Sequence, residues 1–230
     1  MSPQCQIAAI ILAAGESSRL GQPKQLIQFR GETLVRRMVN AASEAGCQPI
    51  LVVLGNSKRT SRLNSPSSPR GEAREHEIEL VEAIGSELKK TGATIVANPN
   101  WKCGIGTSIR AGIQHLIDTA SGVEATVLLA CDQPFADRAV INGLITLHHE
   151  TRKPIVAASY AGTLGVPALF DRSRLPELLG LDDSAGAKSI ILSNRDQVAE
   201  FPFPEGEIDI DTAEDCERLC NSNKENKARL

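Results

Sequence analysis

The sequence lacks the features that mark membrane-spanning, exported and nucleic-acid-binding proteins. Its first apolar run, Ile7 to Leu12, is too short to cross a bilayer. No basic stretch followed by an apolar run and a cleavage site stands near the N-terminus. The net charge of -3 and the pI of about 5.9 give no basic face for nucleic acid. We therefore expect a cytoplasmic protein that binds neither a membrane nor nucleic acid and whose partner is small.

The six cysteines include no C-x-x-C pair. A chain of 230 residues does not need disulfides to hold a core together, so we expect reduced thiols. Cys216 and Cys220 could form a metal site with a histidine, but four-residue spacing in a polar helix more often arises by chance. We assign no function to the cysteines.

Two well-known phosphate-binding motifs are also missing. The Walker loop requires Gly-Lys-Ser/Thr, whereas Lys24 follows Pro23 and precedes Gln25. The dinucleotide fingerprint requires a third glycine, and after Gly104-Ile105-Gly106 that position holds Ile109. These departures exclude a P-loop and argue against a Rossmann dehydrogenase.

Apolar runs and helical segments alternate along the chain. The runs are close to continuous, as in parallel strands covered on both faces; they are Ala8 to Leu12, Ile50 to Leu54, Thr94 to Ala97, Thr126 to Ala130 and Pro154 to Ala158. The predicted helices are Thr33 to Ala45, which ends at Gly46, Ile78 to Thr91, Thr107 to Ala120 and Asp137 to Glu150. This alternation predicts a three-layer αβα protein of the α/β class, with a mostly parallel, doubly wound, Rossmann-like sheet.

The composition fits one such domain. With 41% hydrophobic and 23% charged residues, the chain has ordinary globular values, and we predict a single domain over residues 1–220. The stretch from about 56 to 77 combines serine, proline and charge with almost no apolar content. We interpret it as a mobile surface insertion, and we predict that residues 221–230 form a disordered tail.

The segment LAAGESSRLGQPKQL, Leu12 to Leu26, follows directly on the first predicted strand. Small residues let a backbone loop close around a ligand and turn amide hydrogens toward anionic oxygens, and the cations are suited to phosphate contacts. An ordinary turn with two surface cations is the alternative, which the complete spacing disfavours. The predicted nucleotide-binding residues here are Leu12, Ala13, Ala14, Gly15, Arg19 and Lys24.

Acidic residues stand at two further places. Asp132 follows a hydrophobic strand, at the carboxyl end where open α/β sheets bind ligands, although it could instead cap the next helix. Near the C-terminus, the alternation in Asp209-Ile210-Asp211 puts two acids on one face if the run is extended.

The pattern LAAG-x-S-x-R-x-G-x-x-K resembles the signature of the MobA-like NTP transferases, which include molybdenum cofactor cytidylyl- and guanylyltransferases. The resemblance covers roughly Ile7 to Leu219 apart from the insertion. It implies a fold of the nucleotide-diphospho-sugar transferase type and Mg²⁺-dependent transfer of NMP from an NTP to a phosphorylated acceptor, with Arg19 and Lys24 as catalytic residues. Leu-Ala-Ala-Gly is similar to the motif of members that use CTP, whereas guanylyltransferases usually have Leu-Ala-Gly-Gly. The resemblance thus favours CTP and molybdopterin as substrates, with a molybdoenzyme as a further partner.

The same resemblance extends to the acids. The C-D-Q-P context of Asp132 is similar to the family's metal motif, and Ile208 to Asp215 resembles the DIDTPEDL element, with Ala213 in place of proline. This implies a metal held by Asp132 and Asp211, while Asp209 could hold the loop.

Three other stretches resemble family elements. Asn98-Pro99-Asn100-Trp101 and the glycine-rich segment after it resemble NPxW...G...S-x-R-x-G, which places Asn98, Gly106 and Ser108 beside the nucleoside; a helix start capped by Thr107 can hold at the same time. Gly162 to Phe170 and Asp183 to Lys188 resemble acceptor-side elements, which implies acceptor binding by Gly165, Pro167 and Gly186. Val166 stands before the proline, where many cytidylyltransferases have histidine. Asp183 is displaced by one residue from its usual spacing to the glycine of the acceptor-side element.

Two alternatives remain. A related transferase acting on a sugar or polyol phosphate would share the loop and the acids. A non-catalytic nucleotide-binding accessory protein of a molybdoenzyme would keep the fold, but the presence of Arg19, Lys24, Asp132 and Asp211 argues against it.

Overall fold

A seven-stranded sheet forms the centre of the structure, a computed structural model that describes residues 6–15, 23–55, 81–210 and 215. The strands, in chain order, are β1 (Ile7–Leu12), β2 (Gln28–Phe29), β3 (Glu32–Thr33), β4 (Ile50–Gly55), β5 (Thr94–Asn98), β6 (Ala125–Ala130), β7 (Ile155–Tyr160), β8 (Thr163–Asp171) and β9 (Val198–Pro202). The helices are α1 (Leu34–Glu44), α2 (81–87), α3 (Ile105–Thr119), α4 (Arg138–Thr151), α5 (Leu175–Leu179) and α6 (Ala187–Ser193).

The large sheet has the order β5-β4-β1-β6-β8-β7-β9, and β2 and β3 form a separate hairpin. β1 lies between β4 and β6 and is parallel to both. β8 runs antiparallel to its neighbours β6 and β7, while β7 and β9 are parallel. The sheet is therefore mostly parallel, as predicted, with one reversed strand.

Two hydrophobic layers cover the sheet. Strand β1 contributes side chains to both layers, because successive side chains of a strand point to opposite faces. Ala9 and Ile11 pack in one layer, and Ala8 and Ile10 pack in the other. Helices α1 and α4 contribute to the first layer, and α3, α5 and α6 to the second. The predicted three-layer αβα architecture is confirmed.

The predicted elements are present within the described residues, with boundaries that differ from the prediction by at most four positions. Gly46 follows α1 with a φ of 81°, as expected of a glycine that ends a helix. Thr107 is not a helix cap: α3 begins at Ile105 with Gly104 as its N-cap, and the Thr107 hydroxyl donates back to the Gly104 carbonyl at 2.7 Å. Nor does Asp132 cap the next helix, because Asp137 caps α4.

Several predicted features lie outside the described residues: the insertion at 56–77, the tail at 221–230, and the pair Cys216 and Cys220. In the part of the chain that the structure describes, no helix combines the length and the apolar character needed to cross a bilayer.

Candidate active site

A cavity of about 280 Å³ lies at the carboxyl ends of β1 and β6. The chain leaves β1 toward β4 on one side and later returns to β6 on the other side, which makes this edge the switch point where open α/β sheets bind ligands. The cavity walls contain predicted residues of all three kinds. They are Leu12, Ala13, Ala14, Gly15 and Lys24 of the nucleotide set, Asp132 of the metal set, and Gly165 and Gly186 of the acceptor set.

The backbone after β1 is held in place by a buried glutamine. Gln25 is 2% exposed, and its Nε2 donates to the Ala13 carbonyl at 2.6 Å and to the Gly15 carbonyl at 3.4 Å. A Cβ at Gly15 would lie 3.6 Å from Lys24 Cε. The lysine side chain therefore runs beside the small-residue loop, and both face the cavity.

Opposite charges meet across this cavity. Lys24 Nζ lies 2.6 Å from Asp132 Oδ2, and the two side chains are only 15% and 25% exposed. The residues are 108 positions apart in sequence, but β1 and β6 are adjacent, and the Cys131 amide donates to the Leu12 carbonyl at 3.1 Å. The predicted phosphate-binding cation and the predicted metal ligand are thus direct neighbours.

The segment that carries Asp209 reaches the same place. The Ile210 amide donates to the Asp132 carbonyl at 3.0 Å, Ile210 is buried, and Asp209 is exposed. Burial raises the pKa of Tyr160, its hydrogen bond with Gln133 lowers it, and the negative charges of Asp209 and Asp132 raise it further. Both acids therefore lie near the Tyr160 ring. Asp211, which follows Ile210 in the sequence, lies outside the described part of the chain, and so does Arg19.

The acids suit a hard divalent cation. Mg²⁺ is commonly held by one or two carboxylates, with water and substrate phosphates completing its shell. Among the described residues no three metal-binding side chains form a cluster. Asp132 is the described ligand candidate, and Asp209 is a further acid close enough to Tyr160 to affect its pKa. This arrangement fits a metal shared with a nucleotide.

Two predicted nucleoside-binding residues form a buried polar cluster instead of lining the cavity. Asn98 and Ser108 are each 2% exposed. Asn98 Nδ2 donates to Thr107 Oγ1 at 2.8 Å and to Ser108 Oγ at 2.9 Å, and Asn98 Oδ1 accepts from the Asn100 amide at 2.9 Å. These bonds join the end of β5 to the start of α3.

Gly106 also acts through packing. Its amide donates to the Asp183 carbonyl at 2.9 Å, and a Cβ there would overlap the Asp182 carbonyl oxygen and approach that of Ala185 within 2.8 Å. Arg110 fastens the same loop by donating to the Leu181 carbonyl and to the Asp183 carboxylate. The loop that carries Gly186 into the cavity wall is therefore clamped onto the start of α3.

The wall opposite the nucleotide loop is largely apolar. Gly165, Val166 and Ala187 line it, and Ile105 is 44% exposed at its edge. Lys188 adds an exposed cation. Pro167, the third predicted acceptor-binding residue, follows Val166 but does not line the cavity.

Cys131 lines the cavity beside Asp132 without being a nucleophile. Complete burial raises its pKa, and the negative charge of Asp132 raises it further, against a smaller opposing effect of Lys24. Because the thiolate is the reactive form, this cysteine stays an inert thiol at neutral pH.

Sequence reasoning missed four polar residues of the site. Gln25 and Gln133 lie within motifs that were recognised, but their roles depend on distant backbone groups. Tyr160 and Lys188 line the cavity; Lys188 closes the segment that resembles an acceptor-side element, and its position there was the available signal. Tyr160 ends a strand and carried no signal.

Known proteins with similar sequences and structures carry several functions. Nicotine blue oxidoreductase of Paenarthrobacter nicotinovorans is 26% identical over 226 residues, which are 93% of this chain and 96% of that protein. A protein of Opitutus terrae named "Probable molybdenum cofactor guanylyltransferase" is 42% identical over 135 residues, which are 58% of this chain and 51% of that protein. That match spans about half of the guanylyltransferase.

Among solved structures, Rv0371c of Mycobacterium tuberculosis H37Rv superimposes with a TM-score of 0.71 at 26% identity, covering 94% of this chain and 98% of that one. A second crystal structure of Rv0371c is a complex with manganese and gives a TM-score of 0.68. Residues 9–198 match the MobA-like NTP transferase domain. The chain belongs to this family of nucleotidyltransferases.

Proposed function

We propose that this nucleotidyltransferase moves CMP from CTP to a phosphorylated acceptor of the molybdopterin type and releases pyrophosphate. The observation that supports it is the contact of 2.6 Å between Lys24 Nζ and Asp132 Oδ2, in a cavity bordered by the backbone of Ala13 to Gly15. One cation and one carboxylate at the same position are what a metal-bound triphosphate requires.

The triphosphate would lie along the loop after β1. Loop amides and Lys24, together with Arg19 of the same motif, would balance the charge of the phosphates. Asp132 and Asp211 would hold Mg²⁺, which when bound neutralises negative charge on phosphate oxygens. Lys24 would then leave the Asp132 carboxylate and contact phosphate.

Transfer requires little covalent chemistry from the protein. An oxygen of the acceptor phosphate attacks the α-phosphorus of CTP, the bond from that phosphorus to the bridging oxygen breaks, and pyrophosphate departs with the electron pair. The acceptor phosphate is already ionised at neutral pH, so no general base is needed. Positioning and charge neutralisation supply the acceleration.

The acceptor would bind at the apolar wall. Ile105 and Val166 offer apolar surface, and Lys188 offers a cation at the rim. An acceptor with a flat apolar body and an anionic group fits this combination better than a bare sugar, which would need more hydrogen-bonding partners. A sugar or polyol phosphate is nevertheless the alternative acceptor, because the loop and the acids would serve it equally.

The choice of CTP is supported by Ala14, which lines the cavity at the position where guanylyltransferases usually have glycine. The similarity to the Opitutus terrae protein, named as a guanylyltransferase, favours GTP instead. A melting assay with Mg²⁺ separates the two, because a ligand at about 100 times its dissociation constant stabilises the native state by about 2.7 kcal/mol. We expect a larger shift with CTP, and a clear preference for GTP would overturn the choice of base.

The acceptor is tested by screening. Pyrophosphate release is measured with CTP and a panel of acceptors: molybdopterin, molybdenum cofactor, sugar phosphates and polyol phosphates. The proposal predicts release that depends on the pterin compounds. Release with a sugar or polyol phosphate alone would assign the chain to the alternative transferase.

A further inference from the structure

Gln25 is a buried amide beneath the loop that follows β1. The residue is 2% exposed, and it belongs to a short 3₁₀ turn, Lys24–Leu26, that begins with the lysine of the cavity. From this turn Gln25 Nε2 donates to the carbonyl oxygens of Ala13 at 2.6 Å and of Gly15 at 3.4 Å. One amide group therefore joins the turn that carries Lys24 to the small-residue loop.

These bonds determine which way the loop turns its amide groups. The carbonyl and the N–H of a trans peptide point in opposite directions, so the Ala13 carbonyl that faces Gln25 leaves the Ala14 N–H pointing away from it. The Ala13 amide still continues the sheet by donating to the Val53 carbonyl at 3.0 Å, whereas the Ala14 amide donates to no acceptor within the described residues. Ala14 and Gly15 line the cavity. Ala14 thus offers a backbone donor of the kind that binds anionic oxygens.

The lysine side chain lies against the same loop. A Cβ placed on Gly15 would be 3.6 Å from Lys24 Cε, and Lys24 Nζ lies 2.6 Å from Asp132 Oδ2. Gln25 Oε1, in contrast, is buried and has no hydrogen-bond partner among the described residues. A buried polar atom without a partner destabilises a fold, so an apolar side chain of the same length would pack at least as well. What only the amide supplies is the pair of donors that fixes the loop beside Lys24.

We propose that Gln25 is a positioning residue that holds the loop of Ala13 to Gly15 and the Lys24 side chain at the spacing that the triphosphate of the nucleotide requires. The inference rests on the proposed function, because it takes phosphate oxygens to bind at this loop. Without the amide, the Ala13 carbonyl loses its partner, and the peptide that carries the Ala14 N–H is no longer held in one orientation. Affinity for phosphate should then fall by about 10–100-fold, the loss expected for one hydrogen bond to a charged group.

The test measures the binding of tripolyphosphate and of CTP by isothermal titration calorimetry with Mg²⁺ present. Tripolyphosphate shares the three phosphates of CTP but lacks the base and the ribose. Gln25→Met keeps the length of the side chain and removes both N–H donors, and we expect about 10–100-fold weaker binding of both compounds with a melting temperature close to that of the original chain. Gln25→Asn, which keeps the donors but is one methylene shorter, should also weaken both. Gln114→Met is the matched control, because Gln114 is exposed on α3 and bonds only locally to Asp118.

The outcomes distinguish the two proposals. Unchanged affinities in folded Gln25→Met, with weaker binding in Lys24→Met, would overturn the role of Gln25 and leave the phosphate site in place. Weaker binding of CTP with unchanged binding of tripolyphosphate would also overturn it, because the amide would then act on the nucleoside. Equal binding by Lys24→Met and the original chain, or no binding by the original chain, would remove the phosphate site and the role of Gln25 together. If Gln25→Met does not fold, the Gln25→Asn result decides, and loss of folding in both variants would overturn the positioning role in favour of a core role.

Discussion

At the residue scale, the ammonium of Lys24 and the carboxylate of Asp132 compete with the ligands that each is proposed to bind. At 2.6 Å they neutralise each other in a cavity where both are mostly shielded from water. On the proposed function, a metal ion would displace the lysine from the acid, and the lysine would then contact phosphate. The two residues should therefore respond differently to substitution.

Lys24→Met tests this difference. Without its competitor, Asp132 should bind Mn²⁺ at least as tightly as before, whereas pyrophosphate release should fall by about 10²–10³-fold because a cation that stabilises transition-state charge is lost. Lys89→Met is the control, since Lys89 is exposed beyond the second helix. Loss of Mn²⁺ binding in Lys24→Met, or an unchanged rate, would contradict the account.

Gly106→Ala tests whether Gly106 acts through packing. The added methyl would collide with the Asp182 carbonyl, and overpacking of this kind costs about 1–3 kcal/mol. Gly85→Ala is the matched control: it is also helical, a Cβ there has its nearest neighbour at 3.9 Å, and the change should stabilise by about 0.5–1 kcal/mol. Denaturant unfolding measures both. Equal stability of the two variants would show that the loop does not depend on Gly106.

Cys47 should make the fold sensitive to alkaline pH. Burial raises the pKa of its thiol from 9.0 to about 11, so the folded state favours the protonated form. Below pH 9 the thiol is protonated in both states and its contribution to stability is complete; between pH 9 and 11 the unfolded chain ionises first and stability is lost, by up to about 2–3 kcal/mol. The free energy of unfolding should fall more between pH 8 and pH 10.5 in the original chain than in Cys47→Ala. An equal decline in both would contradict this assignment.

At the scale of elements, β8 shows where sequence patterns are insufficient. Thr163 to Asp171 contains Gly165 and Pro167, residues that are typical of loops, and the segment was predicted only as an acceptor element. It is nevertheless a central strand, antiparallel to β6 and β7, with a register shift between Ala157 and Ala158 in its partner. The strand is determined by pairing on both sides, and single-strand patterns do not contain that information.

The contacts of Gln133 and Asn98 could not be predicted for a related reason. Gln133 bonds to carbonyls 33 and 73 residues away, and a backbone carbonyl has no residue signature. Asn98 was predicted from its motif to bind the nucleotide, but whether it contacts a ligand or Ser108 depends on how β5 meets α3, which the motif does not show. The motifs locate the important residues, and only the packing shows how each one acts.

The segment from about 56 to 77, which lies outside the described residues, can be tested by deletion. Removing Ser57 to Glu75 and rejoining the flanks should leave a folded protein that CTP still stabilises, because the deleted residues have little apolar surface to add to a core. Thermal melting with and without CTP is the measurement. Aggregation or loss of cooperative melting would show that the segment belongs to the core.

At the scale of the whole molecule, the fold and the edge of the sheet at which Asp132 lies could be predicted because both depend on the order of elements along the chain. Continuous apolar runs that alternate with helices require a covered parallel sheet, and carboxyl ends of adjacent parallel strands share one edge. Lys24 after β1 and Asp132 after β6 consequently meet, despite their separation in sequence. The acceptor wall is built from β8 and the loop before α6, whose placement the sequence pattern does not specify.

Proteins with similar sequences are named for different activities, and one of them, of nearly equal length, is named as an oxidoreductase. Nucleotide binding alone therefore does not identify the activity, and the transferred group must be followed. A label placed on the α-phosphate of the nucleotide, followed into the products, separates transfer at the α-phosphorus from hydrolysis and from redox chemistry.

The most direct measurement follows CTP labelled with ³²P at the α-phosphate, incubated with the protein, Mg²⁺ and molybdopterin. The account predicts that the label moves into an acceptor product while unlabelled pyrophosphate is released in equal amount, and that Asp132→Asn lowers this transfer by at least about 100-fold while remaining folded by circular dichroism. Label that stays in CTP with every acceptor tried, or equally fast transfer by Asp132→Asn, would contradict the claim that this cavity is a nucleotidyl-transfer site.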